Sequence, residues 1–218
     1  MLKFAIIRSN LSYHAFRKEL IRFQAFSVRD VKKIFPNFDS KRLNEWQDKG
    51  YIEKLLNKRY LFTEVPKTEL LQFRISNLLL QPSYVSLQSA LSYYHFIPEG
   101  VYSTTAVSSV KTISYHTPVG TFKYQSFKPG FYFGYTIMRL DILPVLIAEP
   151  EKAILDYLYF STAINRLEDL QAIRFNREAI EETIDWKKIE LYAQVFGSAT
   201  LSRRLRLFKK WQQHVTTQ

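Results

Sequence analysis

No cysteine occurs among the 218 residues of this chain. That excludes a disulfide framework and any thiolate metal site. Glycine is scarce at 6 residues, and none falls in the G-x-x-x-x-G-K or G-x-G-x-x-G patterns that cradle phosphates and dinucleotides. The 4 histidines, His14, His95, His116 and His214, are scattered without ligand spacing. Neither a metal nor a cofactor is therefore expected. No apolar run approaches the ~20 residues needed to span a bilayer. The opening MLKFAIIRSN has too short an apolar stretch for a signal peptide. Together these shortages predict a cytoplasmic protein that does not engage a membrane.

A convergent catalytic set is missing too. Ser89 and Ser161 lack the flanking glycines of a nucleophile elbow. Glu149-Pro150-Glu151-Lys152 invites comparison with a restriction-type nuclease, which places an acid two residues before a lysine on a strand. Here that position is Pro150, and the segment reads as a helix start whose acids complement the helix dipole. No catalytic residue is assigned.

What the chain does have is apolar mass and positive charge. It is 46% hydrophobic, enough for one or two folded domains. Its 17 Phe and 14 Tyr are read as core and sheet residues. Lys and Arg outnumber Asp and Glu by 31 to 20, a net charge of +11. The surplus is uneven. Residues 1–65 hold 14 basic residues against 7 acids, and residues 66–140 hold 6 against 2. Residues 141–199 reverse the balance with 6 against 11, and residues 200–218 carry 5 basic residues and no acid. Clustered positive charge favours nucleic acid, because it displaces counterions from phosphates.

The first basic block has a recognisable layout. Residues 13–23 form an amphipathic helix through Phe16, Leu20 and Phe23. Ser27 caps a second helix with Val28 and Val31 inward, and Pro36 stops it. Residues 39–62 read DSKRLNEWQDKGYIEKLLNKRYLF. Asp39 or Ser40 caps a third helix over about residues 40–49, with Leu43, Trp46 and Gly50 inward. Gly50 suits the left-handed residue that ends a helix. An alternating hairpin follows, turning at Asn57-Lys58, where Asn tolerates left-handed geometry. Three helices and a basic hairpin outline a winged helix. Its expected DNA contacts are Ser27, Arg29, Ser40, Lys41, Arg42, Asn44, Glu45, Lys54, Lys58 and Arg59. Arg, Lys and Asn are the side chains that read guanine and adenine edges in the major groove. The same outline also fits a protein-interaction module, and a charged helix face is often only a solvated one.

Residues 66–218 read as an α+β domain with a mainly antiparallel sheet flanked by helices. Helical periods cover 68–80 and 87–94, the latter capped by Ser86, with Gln81-Pro82-Ser83 as a break between them. Strand-like runs cover 102–106, 111–117, 121–127, 131–137 and 143–148. Pro150 opens a helix with Ala153, Ile154, Tyr157 and Leu158 inward, and helices over 186–196 and 201–214 complete the domain. In the last helix Leu201, Leu205, Phe208 and Trp211 or Gln212 face inward, so Arg203, Arg204, Arg206, Lys209 and Lys210 are expected in solvent.

With both halves read, three segments carry a resemblance. Residues 82–99 (PSYVSLQSALSYYHFIPE), 119–134 (VGTFKYQSFKPGFYFG) and 147–159 (IAEPEKAILDYLY) look like the motifs of the AbiEi family. These are antitoxins of type IV toxin–antitoxin and abortive-infection systems in phage defence. FSVRDVKKIFP and KGYIEKLLNKRYLF resemble the family's winged helix. The similarity spans residues 9 to about 160. Many members have arginine-glycine at the wing turn, where this chain has Asn57-Lys58-Arg59. The resemblance implies repression through inverted repeats in the chain's own double-stranded promoter. It also implies that the second domain counteracts a nucleotidyltransferase-like toxin, not necessarily through a stable complex. Lys123 and Lys128, with the basic residues of the last helix, are the candidate antitoxin surface. Without the resemblance, a transcriptional regulator with a ligand-binding or dimerising second domain fits the same residues.

Overall fold

The computed structural model describes residues 11–98, 100, 102–140 and 143–213. The opening segment 1–10 and His214 lie outside the described residues. The chain divides into two units, Met1–Pro66 and Lys67–Gln218.

In the first unit, α1 (Tyr13–Leu20) is capped by Ser12, whose hydroxyl accepts the Ala15 N–H at 3.2 Å. It buries Phe16 and Leu20 completely. A 3-10 turn (Ile21–Phe23) ends it, and β1 (Ala25–Ser27) follows. Ser27 caps α2 (Val28–Ile34) in a reciprocal box with Asp30, which satisfies two otherwise orphaned amides. α3 (Arg42–Asp48) starts later than its sequence suggests: Lys41 holds the cap position and makes no side-chain cap bond. The expected cap, Asp39, instead accepts the Lys41 N–H at 2.9 Å, ahead of the helix. Leu43 and Trp46 point inward as expected. Gly50 adopts φ +70° at the helix end, but it is exposed and does not share their stripe.

β2 (Ile52–Leu56) and β3 (Arg59–Phe62) form the hairpin, and β1 pairs with the other edge of β3. Strict alternation fails in β2. The register shifts between Lys54 and Leu56, and Leu55 turns into the core. Lys58 takes the left-handed position of the turn, at φ +60°, where Asn57 was the expected residue. Phe16, Phe26, Phe38, Trp46 and Phe62 pack with ring centroids 4.3–5.9 Å apart. The aromatic surplus of this unit is therefore largely its core.

The second unit is built on a six-stranded sheet. α4 (Glu69–Leu79) begins at Thr68, whose hydroxyl accepts the Leu71 N–H. A short strand that the sequence did not predict, β4 (Ser83–Val85), then begins at the last residue of the expected break. α5 (Gln88–Tyr93) precedes β5 (Ser103–Ser108), β6 (Ile113–Thr117), β7 (Gly120–Ser126), β8 (Tyr135–Leu140) and β9 (Leu143–Ala148). The order is β6-β7-β5-β4-β9-β8. Three of the five pairings are antiparallel, and β5/β7 and β4/β9 are parallel. The sheet is thus mixed, because β7 returns past its hairpin partner β6 to lie beside β5.

Helices cover both faces. Tyr124 of β7 meets α4, donating its hydroxyl to the Ser76 carbonyl at 2.7 Å. Its neighbours Lys123 and Gln125 point to the face where α5 and α6 (Pro150–Phe160) lie. α7 (Leu167–Gln171), α8 (Arg177–Thr183), α9 (Trp186–Phe196) and α10 (Ala199–Gln213) complete an α+β unit. No helix among the described residues is long and apolar enough to cross a membrane.

Candidate nucleic-acid interface

The pairing of β1 with β3 gathers part of the basic set. Ser27 lies opposite Arg59, and the Val28 N–H donates to the Lys58 carbonyl at 3.0 Å. The start of α2, with Arg29 exposed on its first turn, therefore sits beside the hairpin tip. Ser27 itself is committed: its hydroxyl donates to Asp30 at 2.7 Å. Lys54 and Lys58 are exposed, and Arg59 is half-buried with Nη1 3.5 Å from the Asn57 carbonyl.

α3 presents a second group. Ser40, Lys41, Asn44 and Glu45 are exposed. The Arg42 guanidinium lies over the Trp46 ring, 5.4 Å from its centroid, so the ring that anchors the helix also aims the cation. Asn44 accepts a long bond from Gln47 at 3.5 Å. Glu45 is occupied by Lys49 at 2.7 Å. That hydrogen bond and charge hold its carboxyl below the usual range. Arg29, Lys41, Lys54 and Lys58 form no ion pair among the described residues, whereas Arg17, Lys33 and Lys49 pair with Glu64, Asp30 and Glu45. Lys18, Arg22 and Lys32 are exposed and form none either, so the charge without an ion-pair partner is spread over this unit and includes the start of α3 and the hairpin tip.

The basic residues of the second unit do not form one surface. Lys123 stands exposed on β7, and Lys128 lies exposed after it. Arg203, Arg206 and Lys210 are exposed on α10, with Arg203 donating to the Asn165 side chain at 2.9 Å. Lys209 pairs with Glu190 and lies over the Trp186 ring. Arg204 is buried, against expectation. Its guanidinium donates to the carbonyls of Leu158 (2.9 Å), Tyr159 (3.0 Å) and Ile164 (3.1 Å). The end of α6 leaves carbonyls without helical partners, and Arg204 satisfies two of them, which holds it inside.

A buried polar cluster went unread in the sequence. Lys152 and Asp156, one turn apart on α6, form an ion pair with both side chains fully enclosed. Lys152 Nζ also donates to the Tyr84 hydroxyl at 2.8 Å. Tyr84 and Ser86 in turn donate to Asp156 Oδ2 at 2.9 and 2.7 Å. Ser86, the expected helix cap, therefore anchors α6 instead. The rings of Tyr84, Phe127, Phe133 and Phe196 surround the ammonium at 4.7–5.3 Å. Burial pushes Asp156 up and Lys152 down, while each partner's charge opposes the shift. Burial and the Asp156 charge raise the Tyr84 hydroxyl. Gly134 makes the enclosure possible: at φ +67°, a Cβ there would meet the Tyr192 ring at 3.0 Å and Lys152 Cγ at 3.1 Å.

The two acids beside Lys152 point elsewhere. Glu151 is buried, accepts the Asp185 N–H at 3.1 Å and faces Lys188 Nζ at 3.0 Å. Glu149 accepts the Tyr192 hydroxyl at 2.5 Å and lies 3.3 Å from the same Lys188. Lys188 thereby ties α9 to the start of α6. Burial and the Glu149 contact push the Tyr192 hydroxyl up to about 12. Among the described residues no group of three or more His, Cys, Asp or Glu is placed to hold a metal ion. Set against known proteins, the chain matches no family model and no curated protein.

Proposed function

We propose that Met1–Pro66 is a winged helix that binds duplex DNA, and that the whole chain is an antitoxin and autorepressor of a type IV toxin–antitoxin pair. The observation that carries the DNA reading is the β1–β3 pairing. It sets Ser27 and Val28, next to the exposed Arg29, against Arg59 and Lys58 of the hairpin, while Lys41 at the cap of α3 and Arg42 and Asn44 within it stay outside the Leu43/Trp46 stripe. A helix of seven residues is roughly 10 Å long and fits the major groove. The hairpin tip then meets the flanking phosphates.

Mobility-shift titration of the full chain on its own promoter, at two salt concentrations, tests this. Arg42→Ala should weaken operator binding by about 1–3 kcal/mol and relax sequence preference. Lys58→Gln should weaken all duplexes alike and lower the salt slope by about one unit. Unchanged binding in both variants would falsify the placement of α3 and the hairpin on DNA.

The antitoxin reading rests on the AbiEi resemblance of residues 82–99, 119–134 and 147–159. Co-expression with the neighbouring nucleotidyltransferase-like gene should restore growth. Charge reversal at Arg203, Arg206 and Lys210 should abolish rescue while promoter binding persists. Rescue that survives the reversal removes α10 from the antitoxin surface.

A further inference from the structure

One face of the second unit's sheet is covered unevenly. β7 turns Phe122 and Tyr124 to the α4 side, where both are buried. Its other face carries Lys123 and Gln125, both exposed. The parallel register sets Thr105 of β5 beside Lys123 and Ser103 beside Thr121. Leu87, Gln88, Ile97, Tyr102, Tyr157 and Ile173 wall this floor and leave an open cleft of about 630 Å³. Small-molecule sites span roughly 300–1,000 Å³.

The lining has a definite chemistry. Among the described residues Lys123 is the one charged residue of the lining, and it has no acid partner there. The side chains of Gln88, Gln125 and Ser103 make no hydrogen bond among the described residues, so their donors and acceptors are open to a ligand. Apart from Thr105, whose hydroxyl is taken up by Ser86 and Ser89, the remaining side chains of the wall are apolar or aromatic. One cation, two amides and a flat apolar slot suit a phosphate, the edge of a heterocycle and its face.

A second observation falls at the same wall. Leu87 holds φ +58° and ψ −139°, a conformation a leucine rarely takes. Thr105 locks it there. Its N–H donates to Ser89 Oγ at 2.8 Å, and its hydroxyl accepts the Ser89 N–H at 2.9 Å and donates to the Ser86 carbonyl at 2.7 Å. The Ser86 N–H closes the clamp on the Thr105 carbonyl at 3.1 Å. Backbone strain persists only where its surroundings over-determine it, and it gathers at ligand sites.

We propose that this cleft binds a nucleoside monophosphate. The phosphate meets Lys123 and Ser103, and the base lies between Leu87, Ile97 and Tyr157 with its edge on Gln88 and Gln125. Isothermal titration of the full chain with AMP, GMP, CMP, UMP, the matching nucleosides and inorganic phosphate tests it. At least one monophosphate should bind saturably at one per chain, about tenfold tighter than its nucleoside and than phosphate alone. Lys123→Gln should lose about that factor, since it removes the charge-assisted bond. Gln125→Ala should weaken binding of the monophosphate and its nucleoside alike. Lys128→Gln removes an exposed charge outside the lining and should change nothing. The proposal is overturned if no monophosphate binds, if nucleoside and nucleotide bind equally, or if Lys128→Gln matches Lys123→Gln. Unchanged circular dichroism keeps the exposed-residue variants interpretable.

Discussion

Asp156→Ala is expected to destabilise the second unit by about 3–5 kcal/mol, because removing one partner of a buried ion pair strands the other. The carboxylate is fully buried and receives Lys152, Tyr84 and Ser86 at once. Its removal leaves an ammonium among four aromatic rings with no counter-charge and deprives two hydroxyls of their acceptor. The double variant Lys152→Met/Asp156→Leu should cost much less than either single change, since matched apolar groups carry no desolvation penalty. Urea titrations read by circular dichroism give the comparison. A single-variant cost below about 1 kcal/mol would mean that water reaches the cluster.

The pH dependence has a definite sign. Asp156 binds its proton more tightly in the fold than in the unfolded chain, so its contribution falls as pH rises from about 4 through its raised value. Lys152 releases its proton more readily in the fold, so its contribution falls as pH drops from about 10 through its lowered value. Both shifts therefore act against the ionised forms of the pair. The double variant should show the flatter profile of stability against pH.

Trp46→Ala is the second large effect. Trp46 is almost fully buried, with Tyr13, Phe16 and Phe38 around it at centroid distances of 4.3–5.8 Å. Loss of such a side chain costs about 3–5 kcal/mol, a large share of what a 66-residue unit holds. The change also removes the ring beneath Arg42. Operator binding and the cooperative unfolding of the first unit should be lost together. Arg42→Ala should reduce binding while leaving unfolding unchanged. If Trp46→Ala binds DNA normally, α3 does not orient the reading surface.

The Ser27 cap of α2, the stop at Gly50 and the helix opening at Pro150 were legible in the sequence, because each depends on residues within about one turn. The inward stripe of α10 was legible for the same reason, and so was the clustering of charge in the first 65 residues. Periodicity tells which way a residue points but not what it will meet. It placed Arg204 in solvent, where the orphan carbonyls at the end of α6 draw it inside. It ended a break at Ser83 and gave Tyr84 and Val85 no element, since a strand of three residues carries no period. It missed the shift at Leu55, because a bulge depends on the partner strand. Lys58 shows the same limit: residue preference favoured Asn57, and the register of β2 on β3 put the left-handed position one residue later.

The sequence by itself determined local helices, turns and the charge balance of the two units. Only the tertiary structure decided that β1 closes on β3, that β5 runs parallel to β7, and that Tyr84 and Ser86 meet Lys152 and Asp156 across separations of 68–72 residues. The reason is physical: hydrogen bonds within a turn are set by neighbours in the chain, whereas strand partners and buried charges are chosen by the summed packing of the whole core.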